Sequence, residues 1–427
     1  MTMTHNPVIF IPGIMGSRLY DQEGDLVWVE YSLKLTKLGE MMRIQNPLFV
    51  KNNEKDLTTL PEDEREYGTM GAFEYPYKKI IDRLCAKFPK RGAYFFSYDF
   101  RRSNKDTAKL LDQQIRRILD TTGASGADLI AHSLGGLIVS SYLEMYGKDN
   151  IGKVITLATP YEGAPDTINT ALTGELTYIP GSLFDAVTKI TRDVRTSFPS
   201  GTDLIPTMKY FSRHPMYHYT KNIPTDDELR DREDIITDGE PYYSPAGQIR
   251  DAGLNVYEPM TAKEYEATLQ NIFGDGDALR LENNSRILPE LDCSYFAVGI
   301  NHQTIRSLIF SGDSNDPEIT HIIYDHAGDG CVPTESATFF GYLEKLGKDP
   351  QGNERLLKTE AEHGAIVNHD TVIDWIIAVL SEKSAAHIRS DPVVIDKPAF
   401  VKTAGRQEIL SKLQKLATAI KNQKNPQ

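Results

Sequence analysis

Two rhythms alternate through the first 160 residues of the chain. Val8-Ile9-Phe10-Ile11 is an unbroken apolar run stopped by Pro12-Gly13, and it reads as a buried strand. Residues 94–98 (Tyr-Phe-Phe-Ser-Tyr) read as a second strand. Leu129-Ile130-Ala131 ends a third, and Val154-Ile155-Thr156-Leu157-Ala158 forms a fourth, closed by Thr159-Pro160. Between them the spacing turns helical, over residues 82–89 and 105–120, the latter with Leu110, Leu111, Ile115 and Ile118 at helical intervals. A further helix is predicted over residues 137–146, with Gly147 as its stop. Strands alternating with helices imply a mostly parallel sheet covered on both faces.

The rhythm lapses between about Pro165 and Pro289, a stretch rich in Pro, Gly, Tyr and Asp with few buried-strand runs. It resumes at Tyr295-Phe296-Ala297-Val298-Gly299 and His321-Ile322-Ile323-Tyr324, then ends in a helix through Val372, Ile373, Ile376 and Val379. The simplest architecture is one α/β sheet interrupted by an insertion. Residues 1–164 and 290–391 form the core, and residues 165–289 form a cap. Residues 392–427 are a tail whose Lys-rich amphipathic stretch, 407–421, reads as a docking or surface helix.

Composition narrows the function classes. The 427 residues carry a net charge of -13, which argues against a nucleic-acid partner, because phosphate binding needs a basic surface. It also gives no general attraction to anionic membranes. Cys85, Cys293 and Cys331 are far apart, with no metal-ligand spacing, and fit a reducing compartment. No stretch approaches the ~20 apolar residues of a membrane span, and residues 1–11 lack the basic flank and long apolar core of a signal peptide. The expectation is a soluble, cytoplasmic protein, with peripheral membrane contact open to it.

The most informative segment is Asp128-Leu129-Ile130-Ala131-His132-Ser133-Leu134-Gly135-Gly136-Leu137. A hydrophobic strand runs into Ser133 and a helix follows. This is the nucleophile-elbow pattern, with Ala131 in place of the first glycine of G-x-S-x-G. The serine must sit on a tight, strained turn, so its neighbours two residues away must be small. Read blandly, the segment is a strand–turn–helix with a capping serine; its surroundings favour a nucleophile. The Leu134 N–H, at the start of the helix, would face a developing oxyanion.

Pro12-Gly13-Ile14-Met15-Gly16-Ser17 follows the first strand, where this fold places a second oxyanion donor; Met15 is the candidate. Taken alone, the loop is a plain glycine turn. The acid and base should follow the serine in that order. Asp329, in Gly328-Asp329-Gly330-Cys331-Val332-Pro333, is preferred over Asp325, which reads as a turn residue bonding its own loop. His363, in Glu362-His363-Gly364-Ala365, is preferred over His369, which lies beside the natural helix cap Asp370. His302, His321 and His326 read as structural or surface residues, and His132 points the wrong way along its turn to serve as the base.

These segments resemble the lecithin:cholesterol acyltransferase family, which also includes lysosomal phospholipase A2 and the phospholipid:diacylglycerol acyltransferases. The likeness rests on Ile9 to Ser17, Val27-Trp28, Tyr98-Asp99-Phe100-Arg101, Ala131-His132-Ser133-Leu134-Gly135, Thr159-Pro160-Tyr161-Glu162-Gly163-Ala164-Pro165 and Gly328 to Pro333. A looser match is Ser197-Phe198-Pro199-Ser200 with Leu204-Ile205-Pro206. It implies an α/β-hydrolase fold with Ser133 as nucleophile, Asp329 as acid and His363 as base. Met15 and Leu134 would form the oxyanion hole, Trp28 would lie near the acyl site in a mobile segment, and the insertion would be a lipid-facing cap. Trp28 is equally explained by core packing. Secreted members close a lid near the N-terminus with a disulfide; no cysteine here precedes Cys85, so no such closure is expected.

The implied activity is serine-dependent acyl hydrolysis or O-acyl transfer on phospholipid or neutral-lipid esters through an acyl-enzyme. It needs no metal or cofactor. The expected partner is a lipid or acyl-ester substrate, met in transient contact with a lipid surface. Three rivals stand: an esterase or thioesterase for small soluble acyl compounds, a non-catalytic binding protein on the same fold, and a serine peptidase. Chain-length preference, fluorophosphonate labelling and a peptide panel would separate them.

Overall fold

In the computed structural model, the run Val8–Ile11 is strand β1, buried along its whole length. It pairs with β6 (Ala93–Phe95) on one side and β7 (Ala127–His132) on the other. Beyond β7 come β8 (Ile151–Leu157), β13 (Ser294–Gly299) and β16 (Leu356–Thr359). Together they form a six-stranded sheet of order β16-β13-β8-β7-β1-β6, parallel at every pairing. Two small hairpins, β2 (Leu19–Tyr20) with β3 (Leu26–Trp28) and β4 (Thr69–Met70) with β5 (Phe73–Glu74), lie outside it. The described residues are 5–28, 35–51, 54–70, 73–74, 76–173, 196–220, 242–243, 249–250, 256–274, 287–311, 317–394 and 399–402. The tail helix expected over residues 407–421 and the segment after Trp28 lie outside the described residues.

Alternation along each strand divides the core between two faces. Val8, Phe10, Ile130 and Ile155 pack with α2 (Lys78–Lys87) and the C-terminal helix Asp370–Leu380. Ile9, Ile11, Leu129 and Val154 point the other way, toward α3 (Asn104–Thr122) and α4 (Leu134–Tyr146). Both faces are covered, so the strands read as continuous apolar runs. Helix α3 starts where the Ser103 hydroxyl accepts the Asp106 N–H, and it stops at Gly123 in the left-handed conformation. Leu111, Ile115 and Ile118 of its expected stripe are buried, but Leu110 is 46% exposed, one position outside the stripe.

The structure shifts several expected boundaries. The strand expected over residues 94–98 spans Ala93–Phe95, and the Phe96 N–H just beyond it still donates to the Phe10 carbonyl of β1 at 2.8 Å. Helix α4 begins at Leu134 rather than Leu137. The glycine pair hid that start, because glycine disfavours helix. A Cβ on Gly135 would stand 2.6 Å from the Ile11 carbonyl oxygen, so only glycine lets α4 pack this closely against β1.

A larger difference concerns His321-Ile322-Ile323-Tyr324, which the sequence reading placed in the central sheet. They lie in β15 (Glu318–Asp325), within a second sheet of seven strands. Its order is β10-β11-β12-β9-β14-β15-β17, formed by β9 (Tyr217–Thr220), β10 (Tyr242–Tyr243), β11 (Ile249–Arg250), β12 (Val256–Pro259), β14 (Thr304–Ser311), β15 and β17 (Ala399–Lys402). Every pairing is antiparallel except β9 with β14. Too few residues separate β14 from β15 for a parallel crossover, which takes a dozen or more, so they pair antiparallel. Under this sheet lie α5 (Asp166–Thr173), α6 (Met208–Arg213) and α7 (Ala262–Phe273), which share a core of Ile168, Phe211, Tyr265, Leu269, Leu308 and Ile322. The short α1 (Leu35–Met41) precedes a loop beside the site, and the C-terminal helix Asp370–Leu380 is α8. Among the described residues no helix is long and apolar enough to cross a membrane.

Candidate active site

The end of β7 delivers Ser133 into a conformation that few side chains adopt, φ 52° and ψ -122°. Left-handed backbone at a non-glycine residue costs on the order of 1–3 kcal/mol and persists only when its surroundings enforce it. Here the Ser133 N–H donates to the Leu157 carbonyl at 2.8 Å, and the Gly136 N–H donates to the Ser133 carbonyl at 3.0 Å. The turn is thus braced by β8 on one side and by the first turn of α4 on the other. Leu134 is the first residue of that helix, fully buried directly after the serine.

The loop Pro12–Ser17 passes against this turn. A Cβ on Gly13 would lie 3.0 Å from the Ser133 Cβ and 3.1 Å from the His132 Nδ1, which accounts for glycine at that position. Met15 adopts φ 61°. Three aromatic side chains hold the loop main chain. The Tyr98 hydroxyl donates to the Pro12 carbonyl at 2.9 Å, the Gly13 N–H donates to the Tyr77 hydroxyl oxygen at 3.1 Å, and the Trp28 Nε1–H donates to the Met15 carbonyl at 3.0 Å. Trp28, expected near an acyl site or in the core, is buried, packs edge-on against Phe100, and lines the cavity described below.

His363 sits in the loop before α8, with its Nε2 2.9 Å from the Ser133 Oγ and its Nδ1 2.8 Å from the Asp329 Oδ2. The other Asp329 oxygen accepts the main-chain N–H groups of Cys331 at 3.0 Å and Val332 at 2.6 Å. The carboxylate is 1% exposed, and its oxygens only accept, so the His363 proton belongs on Nδ1. Nε2 is then the acceptor for the serine hydroxyl. Such an array can take the serine proton as the oxygen attacks an electrophile, and return it to a leaving group.

The rivals have other work. Asp325 ends β15 and accepts the Ala327 N–H at 3.0 Å, a bond within its own turn. His369 is the N-cap residue of α8. His302 Nε2 donates to the Glu360 carbonyl at 2.8 Å. His132 lies fully buried, with Nδ1 3.2 Å from the Tyr77 hydroxyl and Nε2 3.0 Å from the His363 carbonyl. Burial, and then the neighbouring His363, push its pKa down to about 3, so it is neutral at ordinary pH. Burial likewise holds the Cys331 thiol well above its usual pKa, aided by Asp166 and Asp329, so it stays protonated and a poor nucleophile.

Ser133, His363 and Met15 open into one cavity of about 140 Å³, walled mainly by Ile14, Trp28, Met42, Phe100, Ala164, Phe198, Leu204 and Phe273. An apolar void of ~150 Å³ takes up a benzene-sized group, so this one suits a hydrocarbon segment. One wall depends on a buried ion pair. Arg101 binds Asp99 at 2.8 Å and donates to the carbonyls of Met42 at 3.3 Å, Arg43 at 2.8 Å and Asn46 at 3.0 Å, pinning the loop that carries Met42. Tyr77 and Phe273 were not singled out from the sequence. Tyr77 and Phe273 fall outside every motif, whereas Tyr98 begins the Tyr98-Asp99-Phe100-Arg101 segment.

The family model described as lecithin:cholesterol acyltransferase matches residues 70–271, a span containing Ser133. Phospholipase A(1) LCAT3 of Arabidopsis thaliana is 26% identical over 207 residues, covering 41% of this chain and 46% of the relative. Lecithin-cholesterol acyltransferase-like 4 of the same plant is 24% identical over 203 residues, covering 41% of this chain and 38% of the relative. The match thus spans less than half the length of either relative. The solved Tle4–Tli4 complex contains a chain with a TM-score of 0.52 and 15% identity, covering 90% of this chain and 100% of that one. The architecture is the α/β-hydrolase fold.

Proposed function

We propose that this chain, which is similar to the lecithin:cholesterol acyltransferase family over residues 70–271, is a serine-dependent lipid acyl hydrolase or O-acyltransferase working through an acyl-enzyme. The observation that carries this reading is the bonded series Asp329–His363–Ser133, at 2.8 and 2.9 Å, opening into an apolar cavity. His363 Nε2 takes the proton of Ser133 as its oxygen attacks the ester carbonyl carbon. The main-chain N–H groups of Met15 and Leu134 receive the negative charge that develops on the carbonyl oxygen. Collapse breaks the ester C–O bond, and the imidazolium gives its proton to the departing alcohol or lysolipid. Water or a second alcohol then attacks the acyl-serine, losing its proton to His363; the bond between the acyl carbon and the Ser133 oxygen breaks, the imidazolium returns the proton to that oxygen, and the acid or new ester leaves.

The apolar walls around Ser133 support a fatty acyl group over a small polar one, and favour phospholipid or neutral lipid as substrate. The test is incubation with mixed phospholipid and diacylglycerol vesicles, with and without added alcohol, followed by product analysis. Free fatty acid and lysolipid are expected, with alkyl ester where an alcohol is accepted. Ser133→Ala should abolish turnover by at least about 10³-fold while the fold remains. Normal fluorophosphonate labelling of that variant would overturn the reading.

A further inference from the structure

A buried histidine that the proposed cycle does not use connects the two halves of the site. Four groups follow one another without a break: the Gly13 N–H, the Tyr77 hydroxyl, the His132 ring and the His363 carbonyl, at 3.1, 3.2 and 3.0 Å. The direction of every bond follows from elementary chemistry. The His363 carbonyl only accepts, so the His132 proton sits on Nε2. Nδ1 of the neutral ring is then an acceptor, and the Tyr77 hydroxyl must be its donor. The Tyr77 oxygen in turn accepts the Gly13 N–H. No other arrangement of protons satisfies all four groups. Tyr77 is fully buried, and its ring packs edge-on against His132, with centroids 5.8 Å apart. The His132 and His363 rings lie 5.1 Å apart.

We propose that Tyr77 and His132 are positioning residues, a one-way hydrogen-bonded strut that sets the Gly13–Met15 amides and the His363 main chain at a fixed spacing across Ser133. This inference rests on the serine-hydrolase reading above. One end of the strut is the loop that receives the oxyanion; the other is the backbone that carries the base. A displacement of about 1 Å at such groups can cost 10²-fold in rate. The strut touches neither acyl chain nor leaving group, so its loss should act on the chemical step and not on substrate binding.

The experiment compares Tyr77→Phe, His132→Leu, His132→Gln and Ser133→Ala in the full chain, with a soluble long-chain p-nitrophenyl ester and a fluorophosphonate probe. Tyr77→Phe and His132→Leu should lower kcat by about 10–100-fold with KM within about twofold, and slow fluorophosphonate labelling in parallel. His132→Gln keeps an N–H donor for the His363 carbonyl, and should recover to within about fivefold of the parent at a melting temperature close to that of His132→Leu. If Tyr77→Phe fails to fold, the two His132 variants carry the comparison by themselves. Parent-like kcat in His132→Leu, or a Gln variant as impaired as the Leu variant, overturns the strut while Ser133→Ala remains inactive. An active Ser133→Ala variant overturns the hydrolase reading, and the strut falls with it.

Discussion

Asp329 holds His363 twice. Its carboxylate accepts the ring Nδ1–H at 2.8 Å, and its main-chain carbonyl accepts the His363 N–H at 2.8 Å. The second bond does not depend on the side chain. Asp329→Asn should therefore keep the loop in place while presenting an amide donor where the imidazole needs an acceptor. The wrong tautomer would put the proton on Nε2, facing the serine, and kcat should fall by about 10⁴-fold with an almost unchanged melting temperature. His369→Ala, measured beside it, should leave turnover near that of the parent. If His369→Ala abolishes turnover and Asp329→Asn does not, the acid and base are assigned to the wrong loop.

The buried His132 gives stability a pH dependence with a definite sign. Its pKa in the fold is about 3, depressed by burial and then by His363, against about 6.5 in an unfolded chain. Between these values the unfolded chain holds the extra proton, so stability rises with pH. This contribution is complete above about pH 6.5 and is lost as pH falls toward 3, by up to ~1.4 kcal/mol per unit. Urea unfolding at about pH 7.0, 5.5 and 4.5 should show a steeper acid loss for the parent than for His132→Gln, which has nothing to titrate there. Parallel curves would contradict a buried, neutral ring.

Arg101 is fully buried, and Asp99 beside it is 7% exposed. Arg101→Met would strand that carboxylate and leave the Met42, Arg43 and Asn46 carbonyls without this donor. Removal of one partner of a buried pair costs ~3–5 kcal/mol. The lower end applies here, because the half-exposed Arg102 remains 3.4 Å from Asp99. Asp99→Asn combined with Arg101→Met should recover part of the loss in urea unfolding. No recovery would mean that the carbonyl contacts, not the ion pair, hold the loop.

Ala164 lines the cavity and is 3% exposed. Its N–H donates to the Leu204 carbonyl at 2.9 Å, a bond that substitution leaves intact. Ala164→Leu adds apolar bulk inside the wall. Long-chain esters should lose about tenfold in kcat/KM, and acetyl esters less than about threefold, because each displaced methylene is worth roughly 1 kcal/mol or more. Equal losses across chain lengths would remove this cavity as the acyl site.

Much of the parallel sheet and of the site was legible because each feature carried a local signal. Ser133 follows an apolar strand and precedes glycines, Asp329 sits between glycines, and His363 precedes the strongly apolar α8. Tyr77 and Tyr98 act through bonds to residues 64 and 86 positions away, a relationship no local pattern records. Strand β14 escaped for another reason. Its pairing with β15 shifts register between Ile305 and Ser307 and again between Ile309 and Phe310, which spoils the two-residue alternation a strand would otherwise display. Strands β10 and β11 have two residues each, too few to show any period.

Asp329 enters the site from a different layer than Ser133 does. It lies just past the end of β15 in the seven-stranded sheet and bridges to His302, whereas the serine rides on the six-stranded one. Heat or denaturant that loosens the seven-stranded layer alone will disconnect the carboxylate while the parallel strands stay together. Inactivation should therefore run ahead of melting, and the enzyme should regain turnover as soon as the two layers dock again.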